Sequence, residues 1–153
     1  MTPDQIRLVR ASWPIIATNA DACTRSFYKH LFEIDDSAAR LFAGVDMTLQ
    51  RKRLEQTLAV VVHALDDPDS LLPAVAALGK RHATYGVEDH HFDSVGEALL
   101  SALSETLGDS FGADVRTAWS DAYALLAAVM RRALIRAKSP SVTSTAEISI
   151  AEA

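Results

Sequence analysis

Apolar positions along this chain repeat at helical spacing, and no segment reads convincingly as a strand. Thr2-Pro3-Asp4-Gln5 reads as a helix start, with Thr2 as cap, Pro3 in the first turn and Gln5 completing a capping box. Ile6, Val9, Trp13 and Ile16 follow as a stripe, and Pro14 is expected to bend this helix or loosen its hydrogen bonding. A second helix is expected from about Asp21 to Phe32, carrying Phe27, Tyr28, Leu31 and Phe32. Asp35-Asp36-Ser37 offers caps for a short helix ending at Leu41-Phe42, and Ala43 to Asp46 reads as a turn. The stripe Gln50, Leu54, Thr57, Leu58 and Val61 marks a helix from roughly Thr48 to Leu65.

Asp66 to Ser70 reads as a loop and a set of caps, and the next helix is expected from about Ser70 to Thr84, with Pro73 in its first turn. Gly86 ends it, because glycine takes positive φ at little cost. Phe92, Val95, Leu99, Leu100, Leu103 and Leu107 define a helix capped at Asp89 or beside it. Gly108 to Gly112 breaks the pattern before a last helix from about Asp114 to Ala137, with Trp119, Tyr123, Leu126, Val129, Met130, Ala133 and Leu134. The expectation is an all-α single domain over residues 1–138, with about seven helices, two of them short. Residues 139–153 lack aromatic side chains and a sustained stripe, and read as a disordered or extra tail.

Composition narrows the function classes. The 153 residues suffice for one sizeable core. A formal net charge of −5 argues against nucleic acid or an anionic membrane as the main partner. Cys23 is the single cysteine, so there is no internal disulfide and no Cys-x-x-Cys-His for covalent haem attachment. The polar, acidic start Met1-Thr2-Pro3-Asp4 is unlike a secretory leader, and no apolar run has membrane-spanning length; a cytoplasmic location is expected.

The chemistry concentrates around one histidine. Leu71, Val75, Leu78 and His82 step by four, three and four, so His82 shares a helix face with three aliphatic side chains. An imidazole in an apolar slot is either a satisfied core group or a ligand. Taken singly, Tyr28 and Phe42 suit an ordinary core and Gln50 a solvated helix face. His30, His63, His90 and His91 read as surface or boundary groups, and adjacent His90 and His91 should point apart on a helix and make a poor metal pair.

Taken in order, these landmarks resemble the globin superfamily, nearest to bacterial single-domain globins and the globin halves of flavohaemoglobins. The likeness runs from roughly Thr2 to Ala137. Ser26-Phe27-Tyr28-Lys29-His30-Leu31-Phe32 resembles the second-helix motif with its distal tyrosine. Leu41-Phe42 is similar to the segment whose phenylalanine wedges against the haem. Gln50 with Leu54 resembles the distal glutamine and its aliphatic neighbour, and Lys80-Arg81-His82 through Gly86-Val87 the proximal histidine segment.

The resemblance implies a globin fold around one non-covalent haem b. His82 would be the axial ligand, its Nε2 on iron and its Nδ1–H donating to a backbone carbonyl near Leu78. Tyr28 and Gln50 would be distal donors, with Phe42, Leu54, Leu78, Tyr85, Val87, Phe92 and Val95 completing the haem contacts. Reversible, tight dioxygen binding is the implied function, with carbon monoxide and nitric oxide as further ligands. Nitric oxide dioxygenase activity is the alternative, and a gas sensor a third. No Gly-x-Gly-x-x-Gly is present, so turnover would need an external reductase. The oligomeric state is not legible.

Two positions depart from the flavohaemoglobin pattern. A tyrosine is usual ten residues after the proximal histidine, where this chain has Phe92, and a glutamate on the last helix is replaced by Leu134. Both polar partners of the proximal side are missing, which implies a less electron-rich His82 and weak peroxidase-like activation of oxygen.

Overall fold

The computed structural model describes residues 1–139 and, over that range, contains seven α-helices and one short 3-10 turn, with no strand. The fold class is all-α, as expected. The expected tail beyond residue 139 lies outside the described residues. Among them, no helix is long and apolar enough to cross a membrane.

Local chemistry sets most helix ends. α1 (Pro3–Thr18) starts with a full capping box between Thr2 and Gln5 and continues unbroken through Pro14. Asn19 alone separates it from α2 (Ala20–Ile34) and turns its side-chain amide back onto the Ile15 carbonyl at 2.8 Å. α3 (Asp36–Leu41) is capped by Asp35, which accepts from the Ser37 N–H at 3.0 Å. α4 (Met47–Ala64) is capped by Asp46, which accepts from Thr48 and Leu49. α5 (Pro68–Thr84) starts two residues before the expected Ser70, because Pro68 suits the first helical position. α6 (Asp89–Leu107) and α7 (Ala113–Lys138) flank the 3-10 turn Gly108–Ser110.

Two broad interfaces organise the core: α5 against α7, and α2 against α6. α1 crosses α7, α4 and α6, and Val9, Trp13 and Ile16 are its buried face. Trp119 of α7 donates its indole N–H to the buried Ser12 hydroxyl of α1 at 2.9 Å, so this large ring buries no unpaired donor.

Two glycines inside helices permit the closest approaches. A Cβ at Gly79 would lie 2.8 Å from the Met130 carbonyl oxygen, so α5 and α7 meet backbone to backbone there. A Cβ at Gly96 would lie 2.8 Å from the Tyr123 ring, which uses that space. By contrast, α4 and α5 touch over few residues. That loosely joined pair carries Gln50 and His82.

Candidate functional site

Tyr28 sits on the inner face of α2 and is only 6% exposed. Three rings surround it: Phe27 at 4.9 Å, Phe42 at 5.4 Å and Phe32 at 5.8 Å between centroids. Gln50, in the first turn of α4, donates its Nε2–H to the Tyr28 hydroxyl oxygen at 3.1 Å. The phenol is therefore an acceptor towards Gln50 and keeps its own O–H for another partner. Burial pushes the Tyr28 pKa upward, partly offset by the Gln50 bond, so the hydroxyl stays protonated at neutral pH. Leu54, one turn after Gln50, is half-buried, as is Phe42.

On α5, Leu71 and Val75 are buried while Leu78 and His82 are half-buried. His82 Nδ1 lies 2.7 Å from the Leu78 carbonyl oxygen, the carbonyl one turn earlier. A carbonyl only accepts, so Nδ1 carries the proton and Nε2 keeps its lone pair. Burial is the main influence on this ring and lowers its pKa, which favours the neutral form that binds metals.

The remaining positions divide by environment. Tyr85 is the C-cap of α5; it is 59% exposed, and its ring packs edge-on to His82 at 5.7 Å. Val87 and Phe92 join a small cluster with Leu134, Ala127 and Met130. Val95 is half-buried against the main core. Phe92 and Leu134 thus fill the neighbourhood with hydrocarbon. Tyr123, packed against the same cluster, spends its hydroxyl on the Phe92 carbonyl at 2.6 Å. Sequence reading placed Tyr123 on the α7 stripe without a role; the helix-interior glycine at 96, which leaves its ring room, was the available signal.

One expectation is corrected. His91 is not a boundary group: it is 5% exposed, and its ring lies 4.1 Å from that of His90. The two histidines occupy the first turn of α6, where both rings reach Ser37. The rule that neighbours on a helix diverge fails because a common hydroxyl draws both rings together.

These groups suit a haem. A neutral imidazole with an uncommitted Nε2, half-buried apolar side chains at Phe42, Leu54, Leu78 and Val95, and two helices in little contact match a flat apolar ligand with one axial nitrogen.

Comparison with known proteins agrees with the fold. The globin family model matches residues 25–130. A flavohemoprotein of Halalkalibacterium halodurans is 34% identical over 128 residues, covering 80% of this chain and 30% of that protein. A flavohemoprotein of Chromobacterium violaceum is 32% identical over 130 residues, covering 83% of this chain and 32% of its own. The chain therefore spans about a third of the length of these relatives.

Among solved structures, a bacterial globin from Campylobacter jejuni matches with a TM-score of 0.78 over 88% of this chain and 97% of that one; at 23% identity this likeness carries the fold. An engineered carbene transferase derived from a proposed nitric oxide dioxygenase of Rhodothermus marinus matches at 28% identity and a TM-score of 0.78, covering 89% and 94%. Helix order, buried core and family match lead to one conclusion: this chain belongs to the globin family.

Proposed function

We propose that this chain holds a non-covalent haem b between α4 and α5 and binds dioxygen reversibly and tightly, with His82 as axial ligand and Tyr28 and Gln50 opposite it. The observation that carries the reading is the direction of the Gln50–Tyr28 bond, which leaves the phenol proton free to serve a ligand. When bound, haem supplies an iron centre that takes up diatomic gases. The protein groups do the rest. The Leu78 carbonyl fixes the tautomer and angle of His82, so Nε2 keeps the lone pair that would bind iron. The rings of Phe27, Phe32 and Phe42 keep water from Tyr28. In that dry setting one donor to a charged acceptor contributes about 1.5–3 kcal/mol, so dioxygen gains more than the less polar carbon monoxide.

Absorption spectra of the ferric, dithionite-reduced and re-aerated protein test the reading. A five-coordinate reduced form and a long-lived oxygenated form are expected. A His82→Gly variant that keeps the same spectrum would remove His82 from the site, and failure to take up haem on reconstitution would end the proposal.

A second reading is nitric oxide dioxygenase activity, favoured by the likeness to the Rhodothermus marinus protein at 28% identity. Nitric oxide, dioxygen and one electron give nitrate, so turnover needs a reductase outside these residues. Sustained nitric-oxide-dependent oxygen consumption with a supplied reductase supports it; a single stoichiometric burst supports oxygen binding alone.

A further inference from the structure

Where α3 meets the start of α6 there is a polar cluster that the haem reading leaves unused. Ser37 Oγ lies at its centre, 2.5 Å from Asp35 Oδ1, 2.8 Å from His91 Nε2 and 3.1 Å from His90 Nε2. On its other edge, His91 Nδ1 accepts the backbone N–H of Glu88 at 2.8 Å. His91 thus stands where a capping box normally has Glu or Gln. Because Nδ1 is an acceptor, the neutral ring carries its proton on Nε2 and donates it to Ser37. The serine hydroxyl in turn donates to Asp35.

We propose that His91 is a proton-operated clasp: neutral, it caps the first turn of α6 at Glu88 and donates to Ser37 at the start of α3, and protonated, it loses the Glu88 cap while its Nε2–H stays on Ser37. A second proton can only go to Nδ1, which then faces the Glu88 N–H donor to donor at the same short distance. The cap is lost while the ring remains confined. Four charged or titratable groups face His91. Asp35, ahead of α3, and Glu88, before α6, favour the cation; His90 on α6 and Lys138 at the end of α7 oppose it. Burial opposes it most, and the His91 pKa lies below its ordinary value.

The clasp adjoins the His82 segment. The peptide of Glu88 follows Val87, whose N–H reaches the His82 carbonyl at 3.2 Å and whose carbonyl accepts from Lys138 Nζ at 2.7 Å. At the far end of α3, Leu41 Cδ2 lies 3.5 Å from the position a Cβ of Gly86 would take. Losing the Glu88 cap therefore loosens the α6 side of the turn after His82, while α3 still lines its other side.

A metal is the competing use of the cluster, since Asp35, His90 and His91 each offer a ligand atom and these lie within 4.8 Å of one another. Two observations speak against it. The Ser37 hydroxyl already fills the space among them. His91 Nε2 has no lone pair to give while Nδ1 accepts from Glu88.

The test is a His91→Gln variant of the full chain, because glutamine can accept the Glu88 N–H but cannot titrate. Melting is followed by circular dichroism at about pH 7.5 and about pH 5.5, either side of the ordinary histidine pKa. The wild-type melting temperature should fall by roughly 2–4 °C more than that of the variant. His90→Gln should keep the wild-type pH dependence. Long-range proton–nitrogen spectra of the wild-type imidazole should show the Nε2–H form at the higher pH. Parallel losses in wild type and His91→Gln, or an Nδ1–H tautomer, would overturn the clasp. So would zinc chloride that raises the melting temperature of wild type and leaves His91→Gln unmoved.

Discussion

Tyr28 and Gln50 show how much a single hydrogen-bond direction decides at the scale of the residue. Both were expected to act as distal donors, and in the structure Gln50 donates to Tyr28. Under the proposed function the tyrosine is then the direct donor to a ligand and the glutamine sets its orientation. Tyr28→Phe should speed dioxygen release by about 10–100-fold, the rate equivalent of one charge-assisted hydrogen bond. Gln50→Leu should have a smaller effect and add almost nothing in the Tyr28→Phe background, because the two share one network. Stopped-flow release rates for the two single variants and the double variant check both statements. Equal and additive effects would restore Gln50 as an independent donor.

The element that matters most is α5, which carries His82 and packs against α7 with almost no clearance. In an exposed helix, Gly79→Ala would stabilise by about 1 kcal/mol through propensity. Here the new methyl would lie 2.8 Å from the Met130 carbonyl oxygen and 2.9 Å from its Cα, both backbone atoms. Backbone cannot swing aside, so the helices must separate. Overpacking of about 1–3 kcal/mol should win, and urea unfolding should show a net loss of stability. His82 lies three residues further along the same helix, so Gly79→Ala should also weaken haem retention, measured by transfer to an acceptor apoprotein. Unchanged retention would show that α5 moves as a rigid body.

Across the whole molecule, the proximal surroundings and the acidic groups set the chemical and pH limits. His82 leans on a neutral carbonyl, and Phe92 and Leu134 are both buried hydrocarbon. With no carboxylate acting on Nδ1 among the described residues, peroxidase turnover should stay far below that of a histidine peroxidase, measured with a chromogenic donor and hydrogen peroxide. Acid stability depends on Asp35, which accepts hydrogen bonds from Ser37 and Ser94 and has its pKa lowered from 3.8 to about 2. The folded value lies below the unfolded one, so this contribution is complete above the unfolded pKa and is lost as pH falls through the folded one. Asp35→Asn keeps a capping side chain without the titration, and should flatten the loss of stability between pH 3.8 and about 2 in acid-unfolding curves.

The sequence by itself determined the helices, their order and the site candidates. Helical stripes, Thr2 and Asp35 as caps, and Gly86 with its φ of +82° are local facts, set by neighbours within a turn or two. The stripe that puts His82 in line with Leu71 and Val75 is of the same kind. Contacts between distant segments were not legible. Nothing local says that Gln50 donates to Tyr28 rather than to solvent, or that Tyr123 spends its hydroxyl on the Phe92 carbonyl. His90 and His91 looked divergent because helical geometry was the only rule available. The packing of α3 against α6 brought Ser37 to both rings, and only the tertiary structure decided that, because the shared partner lies more than fifty residues away.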